Sequence, residues 1–174
     1  MERMQEKNKQ IIKNLQSDNT DIVMEAIKQV KESSNRSLLP NLVELLNSTK
    51  NQNIYDTVLA VFTDLKDTES IPILVDAIRN CTNEKSLKQL VAACWMNGMD
   101  YSQEVDVFSE ILSSSNYETA IEAFTVLTSC EAKIGVEVYE ESLKLLMKNI
   151  DEKDSHKQAL IQEGVKELKR LAEI

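Results

Sequence analysis

Residues 64–80 read DLKDTESIPILVDAIRN, an apolar run with a proline inside it. Residues 36–47, RSLLPNLVELLN, repeat the arrangement, and Pro40 and Pro72 are the chain's two prolines, 32 positions apart. Laid over each other at that offset, Leu42, Val43, Glu44 and Leu46 fall on Leu74, Val75, Asp76 and Ile78. Upstream, Ile22, Ala26, Ile27 and Val30 fall on Ile54, Val58, Leu59 and Phe62. A fixed period of this size marks a solenoid, whose units bury their apolar faces only against their neighbours.

Each unit reads as two helices. Ile22, Val23, Ala26, Ile27 and Val30 make one helical stripe, ESSNRS breaks it, and Leu38, Leu39, Leu42, Leu45 and Leu46 make a second. In the next unit the stripes are Ile54, Val58, Leu59, Phe62 and Leu65, then Ile71, Leu74, Val75 and Ile78. With Ser37 as N-cap, Pro40 becomes the third residue of its helix, where a missing N–H loses no intrahelical bond and the fixed φ suits a helix. Pro72 takes the same place in the overlay, so both prolines mark the starts of second helices.

Two looser units follow. Leu87, Leu90, Val91, Cys94 and Trp95 predict a helix capped near Gly98, and Val105, Phe108, Ile111 and Leu112 its partner. Ala120, Ala123, Phe124 and Leu127 predict the next, a turn falls near SCEA, and Val136, Tyr139, Leu143, Leu146 and Met147 complete the pair. One amphipathic helix leads over residues 3–16 and one closes over 153–173, with DEKDS before it and Lys169 and Arg170 near its end. The expected architecture is all-α, an α-solenoid of antiparallel helix pairs with about ten helices in one domain. Its parts are a cap at 1–17, helix-pair repeats at 18–50, 51–82, 83–115 and 116–150, and a cap at 151–174.

Composition agrees with this reading. Three glycines and two prolines in 174 residues leave little room for tight β-hairpins. The charged N-terminus has no apolar signal core, and the longest uncharged stretch, QLVAACWMNGM at 89–99, falls short of a membrane span. Three cysteines without a C-x-x-C pair suit reduced thiols. The expectation is a soluble, cytoplasmic protein with no membrane partner.

The stretch AVFTDLKDTESIPILVDAI closely resembles HEAT repeats, especially the short bacterial kind of the phycobilin-lyase type. It has an apolar first helix, Asp67 in the inter-helix turn, a proline in the first turn of helix two, and L-V-x-A-I. The resemblance is good over 19–82 and weaker over 83–150. Where that family commonly carries a Val-Arg pair entering the next first helix, this chain reads NIYD, with Tyr55. The resemblance implies a right-handed solenoid, second helices lining a concave face, and binding of other macromolecules rather than one activity.

Chemistry finds little support in the residues. The isolated Gly98, Gly135 and Gly164 build no phosphate loop. His156 is the sole histidine, placed near the start of the last helix, and reads as an exposed helix residue rather than a base. One His and three scattered Cys match no zinc spacing. DEKD (151–154) and DYSQEVD (100–106) lack the alternating ligands of a calcium loop and read as solvated caps. Trp95, Met96, Met99 and Tyr101 cluster at one turn and read as helix-pair core rather than a binding hot spot. No catalytic, cofactor or metal site is expected, and the protein is not expected to be an enzyme.

Charge is more informative. Residues 1–50 carry net +1, 51–150 net −9 and 151–174 net −1. The non-core positions of the second helices include Glu44, Asn47, Asp76, Arg79, Asn80, Glu110, Glu137, Glu140 and Glu141, an acidic face. Such a face repels nucleic acid and suits a basic or amphipathic protein segment. The first reading is therefore a non-enzymatic adaptor, and an acidic exterior that only keeps the solenoid soluble is the bland alternative. The others are an accessory module of a lyase-like or glycosylase-like enzyme system, or a repeat protein that stacks end to end. The oligomeric state stays open, with a monomer as the default.

Overall fold

The computed structural model describes residues 2–149 and 154–173. Ten α-helices run through them: α1 (Glu2–Leu15), α2 (Thr20–Ser33), α3 (Leu39–Ser48), α4 (Gln52–Thr63), α5 (Ile71–Arg79), α6 (Glu84–Met96), α7 (Val105–Ser114), α8 (Tyr117–Ser129), α9 (Val136–Met147) and α10 (Ser155–Ala172). Short 3₁₀ turns at Arg36–Leu38, Thr68–Ser70 and Ser102–Glu104 precede α3, α5 and α7. Among the described residues there is no strand, and no helix is long and apolar enough to cross a membrane. Residues 151–153, which hold most of the DEKD acids, lie outside the described residues.

The helices form two rows. In the first, α2, α4, α6, α8 and α10 pack in sequence; in the second stand α1, α3, α5, α7 and α9. Each second-row helix also packs on the first-row helix that follows it: α1 on α2, α3 on α4, α5 on α6, α7 on α8 and α9 on α10. The protein is an α-solenoid whose core is the continuous seam between the rows. Leu42, Phe62, Leu74, Leu90, Phe108, Leu112 and Leu127 lie fully buried along it. Burying each such side chain stabilises the fold by about 1.5–3 kcal/mol.

Local signals place the helices at a nearly constant period. Asn19, Asn51, Asn83 and Asn116 each sit one residue before a first-row helix. The Asn51 side-chain oxygen accepts from the Asn53 and Ile54 amides (2.9 and 3.3 Å), Asn83 from Ser86 (2.9 Å) and Asn116 from Thr119 (3.0 Å). Asn19 does the same at α2, and Asp154 at α10. An asparagine in extended backbone accepts hydrogen bonds that the first turn cannot make internally. The spacing of 32, 32 and 33 residues shows that the repeat keeps its register through units where the prolines are gone.

The second helices start differently from the expectation at Ser37. Asn35, not Ser37, is the capping residue: its side chain accepts from the Ser37 amide at 3.1 Å and opens a 3₁₀ turn that runs straight into α3. Pro40 is thus the second residue of α3, as Pro72 is of α5. Asp67 repeats the Asn35 role at the next turn, and at the third Asp100, one residue before the cap position, likewise accepts from the amide two residues on, that of Ser102. Gly98 ends α6 with φ +67, a left-handed conformation that glycine adopts without a Cβ penalty.

Side chains 27–33 residues apart in sequence tie neighbouring units together. Lys31 pairs with Asp64 (2.6 Å), Arg36 with Asp67 (3.1 Å) and Glu69, Lys88 with Glu118 (2.6 Å) and the Trp95 indole N–H with Glu122 (2.8 Å). Tyr55 donates to Ser86 (3.3 Å), and Lys85 lies over its ring. The inter-unit ladder thus exists without the Arg of the resemblance, and Tyr55 is part of it. Exposed pairs of this kind contribute only about 0.2–1 kcal/mol each, so they set register while the apolar seam sets stability.

The rows are not evenly spaced. The α7–α9 pair packs most tightly, and the α5–α7 step is the most open of the row. Ser109 and Ser113 on α7 and Ser142 on α9 are fully buried, and their hydroxyls have no partner among the described residues. Small side chains let two helices approach closely, at the cost of unsatisfied hydroxyls. Gly164 of α10 serves the same end, since a Cβ there would stand 2.7 Å from a Leu112 methyl.

Two predictions follow from this packing. Ser109→Ala should hold or raise the melting temperature, whereas Ser109→Leu should cost about 1–3 kcal/mol by overpacking; equal destabilisation by both would refute the close approach. The second concerns Asp100. Desolvation opposes its ionisation, but bonds from the Ser102 hydroxyl and amide and the Ala132 and Glu131 amides outweigh this and hold its carboxyl below the usual range. A depressed folded-state pKa stabilises above the unfolded value of about 3.9, and the effect fades as pH falls below it. Asp100→Ala should therefore cost on the order of 1 kcal/mol at pH 7. Denaturant melts from pH 7 to pH 3 should show that gap closing in acid.

Candidate functional site: the second-row face

Second-row helices hide the flanks that meet their neighbours and leave one strip in water. In α7, Val105, Val107, Phe108, Ser109, Ile111, Leu112 and Ser113 are buried, and Glu110 stays exposed. Glu110 is the sixth residue of α7. The sixth residue of α3 is Glu44, of α5 Asp76 and of α9 Glu141, and all three are exposed. Packing on the seam dictates this: at 100° per residue the sixth position lies about opposite the fourth, which holds Leu42, Leu74, Phe108 and Tyr139.

These four carboxylates make no ion pair among the described residues, unlike Asp64, Asp67 and Glu118 of the inter-unit ladder. Asp76 accepts only a local bond from Asn80 (3.1 Å). Two grooves separate the ridges that carry them. One, between α3 and α5, measures ≈ 270 Å³ and brings Glu44, Asn47 and Asp76 together over Pro40, Val43 and Ile73. The other, between α5 and α7, measures ≈ 420 Å³ and holds Arg79 and Glu110 with Ile78, Cys81 and Ile111.

The remaining residues of the expected face divide by role. Arg79 spans the open α5–α7 step, 3.0 Å from Asp106 and 3.9 Å from Glu104, so it is a brace between units. Burial, then neighbouring Asp106, push Glu104 up, and Arg79 counters them. Asn80 closes α5 by donating to the Asp76 carbonyl (2.9 Å). Glu137 and Glu140 are exposed on α9, and neither groove includes them. The regular sixth-position register was missed by sequence reasoning beyond the Glu44–Asp76 overlay. The capping asparagines at 83 and 116 were the signal that would have carried it into the later units.

The expected aromatic core splits in two. Met99 and Tyr101 are buried, and the Tyr101 hydroxyl accepts from Asn97 (2.8 Å). Trp95 and Met96, 38% and 50% exposed, are not core, because they follow Cys94 around to the outer flank of α6. The His156 side chain is solvent-exposed beside Asp154. No group of three or more His, Cys, Asp or Glu among the described residues could hold a metal ion. A further cleft of ≈ 330 Å³ lies at the turns of the first two units, but its rim charges Lys31, Arg36, Asp64 and Asp67 already pair with one another.

No family model matches the chain, and no curated protein does either. Among solved structures it is similar to an engineered protein determined as a structural-genomics target, with 18% identity and TM-score 0.49, covering 93% of this chain and 79% of that one. It is also similar to a designed armadillo repeat protein, with 14% identity and TM-score 0.45, covering 91% and 80%.

Cys81 offers a reporter on the α5–α7 groove. It is half-buried there, with its thiol pushed up by desolvation. Burial drives Cys94 to about 12 and Cys130 to about 11. A maleimide should modify one thiol per folded chain, at Cys81, and three after unfolding. Prior labelling of Cys94 or Cys130 in the native state would contradict the packing of α6 and α8.

Proposed function

We propose that this is a non-enzymatic interaction scaffold, a HEAT-like adaptor whose second-row face binds a basic or amphipathic segment of a protein partner. One observation carries the reading: an exposed carboxylate without an ion pair among the described residues recurs at the sixth residue of α3, α5, α7 and α9. Helices that pack side by side stand about 8–10 Å apart, so the four form a strip roughly 30 Å long. Lysine and arginine on one partner segment can reach all four without refolding of the solenoid. The grooves between the ridges add apolar floor at Val43, Ile73, Ile78 and Ile111. The net charge of −9 carried by residues 51–150 steers a cationic partner toward this strip and a polyanion away from it. No cofactor, metal or nucleic acid enters the reading, and it places the protein in the cytoplasm.

The test is fluorescence anisotropy of a labelled lysine-rich peptide, alongside capture from native lysate. Asp76→Lys, Glu110→Lys and Glu141→Lys combined should weaken peptide binding about tenfold or more and abolish capture, with helical circular dichroism unchanged. Added salt should weaken the wild-type complex in the same direction. Binding and capture that survive the triple reversal would overturn the proposal.

A further inference from the structure

Counted from the capping asparagines, four residues give the α4–α6 step a chemistry of its own. The residue before the cap is Lys50 at α4, against Asp18, Thr82 and Ser115 at α2, α6 and α8. The second residue after the cap is Lys85 at α6, against Asp21, Asn53 and Glu118. The third is Ser86 at α6, against Ile22, Ile54 and Thr119. The fourth is Tyr55 at α4, against Val23, Leu87 and Ala120.

All four line one cleft of ≈ 250 Å³ at the start of α4 and α6. No carboxylate among the described residues lines it, in a chain of net charge −9. Of the acids nearest in sequence, Asp56 accepts from Gln52 (2.6 Å), and Glu84 is exposed on α6. Lys50 and Lys85 make no ion pair among the described residues. Lys85 donates to the Gln52 side-chain oxygen (3.3 Å) and stands 4.8 Å from the Tyr55 ring centre, and neither contact neutralises its charge. Tyr55 and Ser86 are 8% and 4% exposed, and their hydroxyls share one hydrogen bond of 3.3 Å. Whichever hydroxyl donates, the proton of the other has no acceptor among the described residues. A buried O–H in that state costs stability unless something in the cleft accepts from it.

Two uncompensated ammonium groups and a spare O–H match a small anion with several acceptor oxygens. We infer that the cleft binds the phosphate group of a small phosphate monoester. The dianion balances the two lysines, and its terminal oxygens accept from them and from the spare hydroxyl proton. The first turns of α4 and α6 flank the cleft through Gln52 and Asn83, and their dipoles favour negative charge there. The volume falls below the roughly 300–1,000 Å³ of drug-sized sites, so the carrier of the phosphate is small. None of the four sixth-position carboxylates lines this cleft, so the inference stands or falls independently of the partner-binding reading.

Amide chemical shifts of the full, isotope-labelled chain test it, in a titration with glycerol phosphate to about 20 mM at constant ionic strength. Shifts at Tyr55, Lys85 and Ser86 should saturate, inorganic phosphate should compete for the same amides, and glycerol at the same concentration should leave them unmoved. Lys50→Gln with Lys85→Gln, both at exposed positions, should weaken binding about tenfold or more with circular dichroism unchanged. Tyr55→Phe with Ser86→Ala removes both hydroxyls and leaves no orphan partner, so the fold should hold while affinity falls about tenfold. This second pair separates a seated phosphate from a diffuse ionic attraction, which the loss of two hydroxyls does not move. No saturable shift, an equal response to glycerol, or an affinity unchanged in either double variant would overturn the inference.

Discussion

An amphipathic helix in a stacked array has its apolar stripe covered by the adjacent helices and by nothing else, and every other feature of this molecule answers to that constraint. It explains why the seam between the rows is continuous from Ile11 to Leu171. It explains why Val105 is sealed where Val136 is open. It also explains the acidic strip: once both flanks and the back of a second-row helix are committed to packing, one face per helix remains for water. Substitutions on that face leave the core undisturbed.

Polar interactions perform a different task here. The ladder from Lys31–Asp64 to Trp95–Glu122 repeats at about the unit spacing, and the capping asparagines repeat with it. Each contributes little free energy beside a buried leucine or phenylalanine. Their value is positional: they specify where each helix begins and which neighbour it meets. The junction where packing is thinnest, between α5 and α7, is the one braced by Arg79 on two carboxylates. The junction where packing is tightest, between α7 and α9, instead tolerates three hydroxyls without partners among the described residues.

Much of this was legible in the chain. The 32-residue overlay around Pro40 and Pro72 predicts helix pairs, and the ten helices are where the apolar stripes place them. The exposed acids of the second helices were legible too, since a solvated position needs no partner to be recognised. The errors share one cause. Serine is a good cap, which points to Ser37, but a 3₁₀ turn capped two residues earlier by Asn35 sets the real start. Residue type points Trp95 and Met96 into the core, and the turn of α6 carries them outward.

By itself the sequence determined the helical class, the period and the acidity of one row, because these depend on local spacing and composition. Which carboxylates stand alone, which are braces, and which apolar residues lack cover was decided only by the tertiary structure. Glu110 and Asp106 are four residues apart on one helix, yet Arg79 from a neighbouring unit claims Asp106 and leaves Glu110 without an ion pair among the described residues. Val136 and Val105 are the same residue at the same helical position, and only the presence of a following helix separates a buried side chain from an exposed one. Contacts made across units a full period apart are set by packing geometry, and no local pattern encodes them.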